Sequence, residues 1–154
     1  MENIQLVNDN EILLGIVEHL GQKNLSTQKL VQTIQDNIID HHDQMKNPYI
    51  EKDIIESRFI SPEDAYKWGV VSCGAVTNIA TFILRSLNYE VKLIHGSILN
   101  SKTHAWFEIK EENSWKEYDL TNNNCVPFEG RKIEAICNSW EEIRPIIENA
   151  RVIK

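Results

Sequence analysis

The sequence predicts an α+β fold in which a helical first part is followed by an antiparallel sheet. Two observations predict it. Apolar residues recur at helical spacing through most of the stretch that ends at Leu87. The period then drops to two in EVKLIHGSI, THAWFEIK and SWKEYDL, segments rich in β-branched and aromatic residues. At 154 residues the chain fits one domain, 1–154. A domain of that size buries about 70% of the surface its unfolded chain exposes, so its core needs no disulfide or metal.

The elements follow in order. Ile12, Leu13, Ile16, Val17 and Leu20 define a first helix; Leu30, Ile34, Ile38 and Met45 define a second, with Ser26 or Thr27 as its cap. KDIIESRF is a third helical piece. In SPEDAYKW, Ser61 can cap and Pro62 suits the first helical position, Glu63 and Asp64 complement the positive helix end, and Gly69 terminates. These pieces make a helical part over about 1–68. A core of about 69–121 opens with VVSCGAVTNIATFILRSLNYE, where Val76, Ile79, Ala80, Ile83, Leu84 and Leu87 mark a strongly amphipathic helix and Asn88 can end it in a left-handed turn. The three period-two segments complete that core. Over about 122–154, TNNNCVPFEG reads as a loop and KIEAIC as a strand. SWEEI opens a last helix with Ser139 and Glu142 as a capping box, and Pro145 should kink or shorten it.

Composition narrows the function. Sixteen Lys and Arg against twenty-three Asp and Glu leave a net charge of -7, which repels phosphate backbones and argues against nucleic acid as a partner. Cys73, Cys125 and Cys137 are widely spaced, odd in number and without a CxxC pair, as expected of a reducing, cytoplasmic setting. MENIQLVNDNEILLGIVEHL lacks the basic segment and cleavage site of a standard export signal, and no apolar run approaches a membrane span. The pair His41 and His42 with Asp43 lacks zinc-type spacing, and adjacent helical residues diverge, so no metal is expected.

Chemistry concentrates in the core. Cys73 stands at the start of its helix, where first-turn amides and the helix dipole favour a thiolate. In THAWFEIK, alternation puts His104, Trp106 and Glu108 on one face and Ala105, Phe107 and Ile109 on the other. If EENS is a hairpin turn, Lys110 pairs with Trp115, and Asp119 becomes a same-face diagonal neighbour of His104; a one-residue slip would separate them. A thiolate nucleophile, an imidazole that carries the proton and a carboxylate that orients the imidazole form a working set for acyl transfer. His95 alternates with Val91 and Leu93, as an interior histidine would, and Cys125 and Cys137 have no acid–base partner nearby in sequence.

The segments SCGAVTNIATFILRSLNYEVKLIHG, THAWFEI and WKEYDLT, spanning about a third of the chain, resemble the core of the transglutaminase-like superfamily of papain-like cysteine enzymes. That core has a cysteine opening a helix, a histidine in an H-A-W-like triplet and an aspartate in W-x-x-x-D-x-T. The resemblance implies a papain-like fold with N-terminal helices and a nucleophile helix packed on an antiparallel sheet. It also implies Cys73 as nucleophile, His104 as general acid and base and Asp119 as orienting residue. Animal transglutaminases carry Gln before and Trp after the nucleophile, where this chain has Ser72 and Gly74.

The expected activity is acyl transfer from an amide in a protein or peptide substrate, through a thioester, with hydrolysis favoured over transamidation and no cofactor. The alternative is a binding or scaffolding module that keeps the fold without turnover. The Cys73 N–H is one expected oxyanion donor; the second is either the Trp68 indole or a polar group from the N-terminal helices. Trp68 and Trp106 are the candidate walls of the site.

Overall fold

The computed structural model describes residues 9–45, 55–99 and 102–153. Its helices are α1 (Asp9–Gly21), α2 (Thr27–Asp43), α3 (Pro62–Trp68), α4 (Cys73–Ser86) and α5 (Arg144–Ile153). Its strands are β1 (Val91–Ile98), β2 (Lys102–Glu111), β3 (Ser114–Tyr118) and β4 (Lys132–Cys137), in one antiparallel sheet of order β3-β2-β1-β4. This is the α+β architecture that the change of period predicts.

Local chemistry sets the helix boundaries. Ser26, not Thr27, caps α2, its hydroxyl accepting from the Lys29 N–H at 3.3 Å. Ser61 caps α3 through the Asp64 N–H at 3.1 Å, Pro62 follows it, and Gly69 closes the helix at φ 72°. Asn88 takes the left-handed turn after α4, at φ 73°.

Three boundaries differ from expectation. Met45 lies beyond α2, which ends at Asp43. Of KDIIESRF, residues 52–54 fall outside the described residues, and Glu56–Phe59 is a 3-10 turn. Pro62 requires an extended Ser61, which leaves no room for a longer helix. The SWEEI stretch is likewise a 3-10 turn, Trp140–Ile143. Ser139 makes no capping bond there, and Glu142 Oε1 instead accepts from the Asn138 N–H at 3.2 Å. Pro145 falls in the first turn of α5, where its missing N–H costs nothing, so it marks a start and not a kink.

The amphipathic face of α4 carries the core. Val76, Ile79, Ala80, Ile83 and Leu84 pack with Leu13 and Leu20 of α1, Leu30, Val31, Ile34 and Ile38 of α2, and the inner sheet residues Val91, Phe107 and Ile109. Each such side chain, fully buried, stabilises the fold by about 1.5–3 kcal/mol. A smaller cluster joins Cys73, Leu93, Ala105, Cys137, Trp140 and Ile147 at the N-terminal end of α4. Thus the helix start is embedded in packed structure.

Between β1 and β4 the register shifts: His95 pairs with Ala135 and Gly96 with Ile133, leaving Glu134 as the extra residue of a bulge. Only glycine fits at position 96, because a Cβ there would lie 1.9 Å from the Lys132 carbonyl oxygen.

Candidate active site

The β2–β3 hairpin has the register that places a carboxylate beside the histidine. Lys110 pairs with Trp115, Glu111 with Ser114 and Phe107 with Tyr118, and Glu112 turns the chain at φ 56°. Beyond Tyr118 the strand ends, and the Asp119 N–H donates to the Cys125 carbonyl at 3.0 Å. The Asp119 carboxylate is thereby held under β2, where Oδ2 accepts from His104 Nε2 at 2.7 Å. Its other oxygen accepts from the Thr121 hydroxyl at 2.6 Å and the Thr121 N–H at 2.9 Å. Thr121 therefore fixes the carboxylate that meets the imidazole, and its Oγ1 itself lies 3.3 Å from His104 Nε2. The D-x-T spacing was the signal for this residue, though no role could be read from it.

His104 Nε2 faces Asp119, and the imidazole also hydrogen-bonds the Cys73 thiol, which leaves Nδ1 for the sulfur. Burial draws the imidazole pKa down, but the hydrogen bonds and charges of Asp119 and Cys73 outweigh it and raise His104 to about 9. Burial likewise pushes the thiol up. The His104 hydrogen bond and charge, the Arg58 charge and the Ala105 backbone bond outweigh that, and Cys73 titrates below its ordinary range. Opposite shifts in touching groups favour a thiolate–imidazolium pair at neutral pH.

The helix start is arranged for this. Ser72 stands at the cap position of α4, yet its hydroxyl makes no capping bond, so no side chain occupies the first-turn amides beside the sulfur. Gly74 has a different purpose from the tryptophan of animal transglutaminases. A Cβ on it would lie 2.8 Å from Arg58 Cγ and Ser57 Oγ, so glycine lets the Ser57–Arg58 segment lie flat against the helix.

Arg58 was not legible as a site residue. It is 1% exposed, and its guanidinium packs 5.1 Å from the Trp140 ring centroid. Nη1 donates to Nδ1 of the fully buried His95, and Asn78 Nδ2 donates to the Arg58 carbonyl at 3.0 Å. Burial and the Arg58 charge lower His95 to about 4, so it is a neutral acceptor. The sequence reading of an interior, hydrogen-bonded histidine holds.

The candidate wall residues separate. Trp106 is buried on the outer sheet face, its ring centroid 5.7 Å from that of His104 and its N–H donated to Glu117 Oε1 at 2.8 Å. Glu117 is held in turn by Arg131 Nε at 2.6 Å. Trp68, the last residue of α3, is 43% exposed. Gln35 in α2 spends its amide N–H groups on the Leu120 and Asn122 carbonyls, both at 2.8 Å, which pins the loop after Asp119.

His41 stacks on Tyr66 at 3.8 Å, and its Nε2 bonds the Tyr66 carbonyl at 3.0 Å. Among the described residues no group of three His, Cys, Asp or Glu side chains is placed to hold a metal. None of the described helices is long and apolar enough to cross a membrane. Cys125 and Cys137 are free, buried thiols raised to about 12 and about 11, chiefly by burial.

The fold is shared with solved structures. A protein from Cytophaga hutchinsonii described as a candidate cysteine protease superposes with a TM-score of 0.62 at 16% identity, over 87% of this chain and 44% of that one. A protein described as a TGase superposes with a TM-score of 0.58 at 14% identity, over 88% of this chain and 36% of that one. The chain thus has the transglutaminase-like fold, and it spans less than half the length of either protein. No protein-family model matches the chain, and no curated protein does.

Proposed function

We propose that the protein is a cysteine-nucleophile enzyme that transfers the acyl group of an amide, in a peptide bond or a glutamine side chain, to water. One observation carries the reading: His104 bridges the Asp119 carboxylate and the Cys73 thiol at the start of a helix. The thiolate attacks the amide carbonyl to form a carbon–sulfur bond, and the oxyanion meets the Cys73 N–H. As the carbon–nitrogen bond breaks, the imidazolium gives its proton to the leaving amine. Neutral His104 then takes a proton from water, which attacks the thioester and releases the acid and the thiolate.

A cavity of about 280 Å³ adjoins the site, bounded by Val71 ahead of Cys73 and by Leu120 and Thr121 beyond Asp119, with Ile38 and Ile39 behind. Ile38, Ile39, Val71, Val76 and Leu120 give it an apolar part and Gln35, Thr121, Asn122 and Asn123 an uncharged polar one, which supports an uncharged substrate side chain next to the scissile amide.

The test measures release of amine or ammonia from peptide amides by the wild type and by Cys73→Ala, with hydroxylamine added to trap the thioester as a hydroxamate. Cys73-dependent release and trapping are expected. A folded protein whose Cys73 alkylates but which cleaves no amide and yields no hydroxamate would instead be the binding or scaffolding module, a reading that the burial of the Cys73 sulfur favours.

A further inference from the structure

We propose that Arg58 is a second cation of the Cys73 site, a permanent charge packed against the sulfur that supports the thiolate independently of His104. The inference rests on the reading of Cys73 as nucleophile. Four observations carry it.

Gly74 is the first. A Cβ at this position would come within 2.9 Å of the Arg58 backbone nitrogen, so the bare helix turn admits Arg58 beside Cys73. The second is that the guanidinium is fastened: Trp140 covers it, His95 accepts from Nη1, and Asn78 holds its carbonyl while accepting from Trp140 Nε1 at 2.8 Å.

The third is an imbalance. Nε and Nη2 of Arg58 are buried and have no conventional hydrogen-bond partner among the described residues. A guanidinium stays protonated, and leaving two of its donors unmet in the interior is costly. A thiolate on Cys73, which Gly74 brings next to Arg58 and whose charge acts on the guanidinium, is the acceptor that relieves this.

The fourth is that the only other anion whose charge reaches Arg58, among the described residues, is a half-exposed carboxylate. His95 of β1 is neutral, Cys137 of β4 is raised to about 11 and keeps its proton, and Glu134 of the bulge is half-exposed, 3.4 Å from His95 Nε2. On its other side Cys73 faces His104 and the Ala105 backbone of β2. The sulfur thus lies between two cations of different kind. His104 gives up its proton during the reaction; Arg58 does not, and it remains as counter-charge when the thioester breaks and the thiolate returns.

The experiment titrates Cys73 by thiolate ultraviolet absorbance and by alkylation rate against pH in wild type, His104→Ala, Arg58→Lys and Arg58→Met, with circular dichroism as the check on folding. In His104→Ala the Cys73 pKa should stay below about 8.5, the value of an ordinary thiol. Arg58→Met should cut alkylation by about tenfold at a pH well below the wild-type Cys73 titration point, because there a thiol pKa higher by about one leaves about a tenth of the thiolate, and Arg58→Lys should recover part of it. A His104→Ala pKa at or above about 8.5, or an Arg58→Met profile equal to that of wild type, would overturn the inference. If Arg58→Met does not fold, the His104→Ala and Arg58→Lys titrations decide. Amide turnover is scored separately: turnover that needs Cys73 and His104, with a normal thiol in His104→Ala, removes Arg58 alone. A low Cys73 pKa without turnover in the wild type removes the enzymatic reading and leaves the charge pairing.

Discussion

His104 and Cys73 shift in opposite directions because each is the other's partner, and that coupling sets a pH window for any reaction through them. The reactive form is thiolate with imidazolium. It is gained as pH rises through the lowered Cys73 value and lost as pH rises through the His104 value of about 9. Turnover is therefore expected to be bell-shaped with an alkaline limb near 9, and a limb near 6.5 would show that Asp119 and Cys73 do not hold the proton on His104. The same electrostatics ranks the thiols. At about pH 6 iodoacetamide should modify Cys73 before Cys125 or Cys137, which burial keeps protonated to about 12 and about 11, and equal labelling of the three would contradict the ion pair. At this scale the sequence was readable where the three side chains that meet leave a local pattern: a cysteine at a helix start, a histidine near the start of a strand, an aspartate two residues before a threonine. Arg58 has no such pattern. It lies in a stretch with helix-like apolar spacing, and its importance comes from Gly74, His95 and Trp140, which lie 16, 37 and 82 positions away in the chain.

The elements that position the site depend on two glycines for close approach, and β1 shows the cost most directly. Gly96 lies where β4 bulges, and an added methyl would meet the backbone oxygen of Lys132 at 1.9 Å and the Trp106 ring at 2.9 Å. A carbonyl cannot rotate aside as a side chain can, so Gly96→Ala must push β1 and β4 apart. Overpacking of this kind costs about 1–3 kcal/mol or more. Melting should drop by about 2–12 °C, given about 2–4 °C per kcal/mol for a chain of this size. Gly15→Ala in α1 is the control: its Cβ meets nothing within 4 Å, so the same methyl should stabilise by about 0.5–1 kcal/mol through helix propensity alone. Equal melting temperatures for the two variants would mean that the bulge yields without cost. The bulge was not legible in the sequence, since KIEAIC reads as a regular strand and the extra residue appears only against the partner. The β2–β3 register was legible because its turn is only two residues long, and that count sets every pair up to Phe107 and Tyr118.

For the whole molecule the question is what would reach the proposed thioester. An amine competes with water, present at about 55 M, only if the site holds it at high effective concentration or keeps water out. That requires walls around the sulfur, and the structure shows where the candidate walls lie. Trp106 is buried beside His104, with its N–H on Glu117. Trp68 ends α3 on the surface, and Val71, two residues before Cys73, is well exposed. Position 74, where animal transglutaminases carry a tryptophan, is closed to any side chain by Ser57 and Arg58. Two rings lie against the imidazole, Trp106 and Phe128, with centroids 5.7 and 5.4 Å from that of His104, while position 74 offers no side chain beside Cys73. The sequence shows the missing tryptophan as Gly74; the packing of Ser57 and Arg58 supplies the physical reason that no side chain stands there, which no local pattern encodes. Water is the expected acceptor. An amide donor supplied with a millimolar primary amine should yield mostly hydrolysed product, counted by mass spectrometry against the aminated one. A majority of aminated product would show that an acceptor is bound, and would make the protein a transferase.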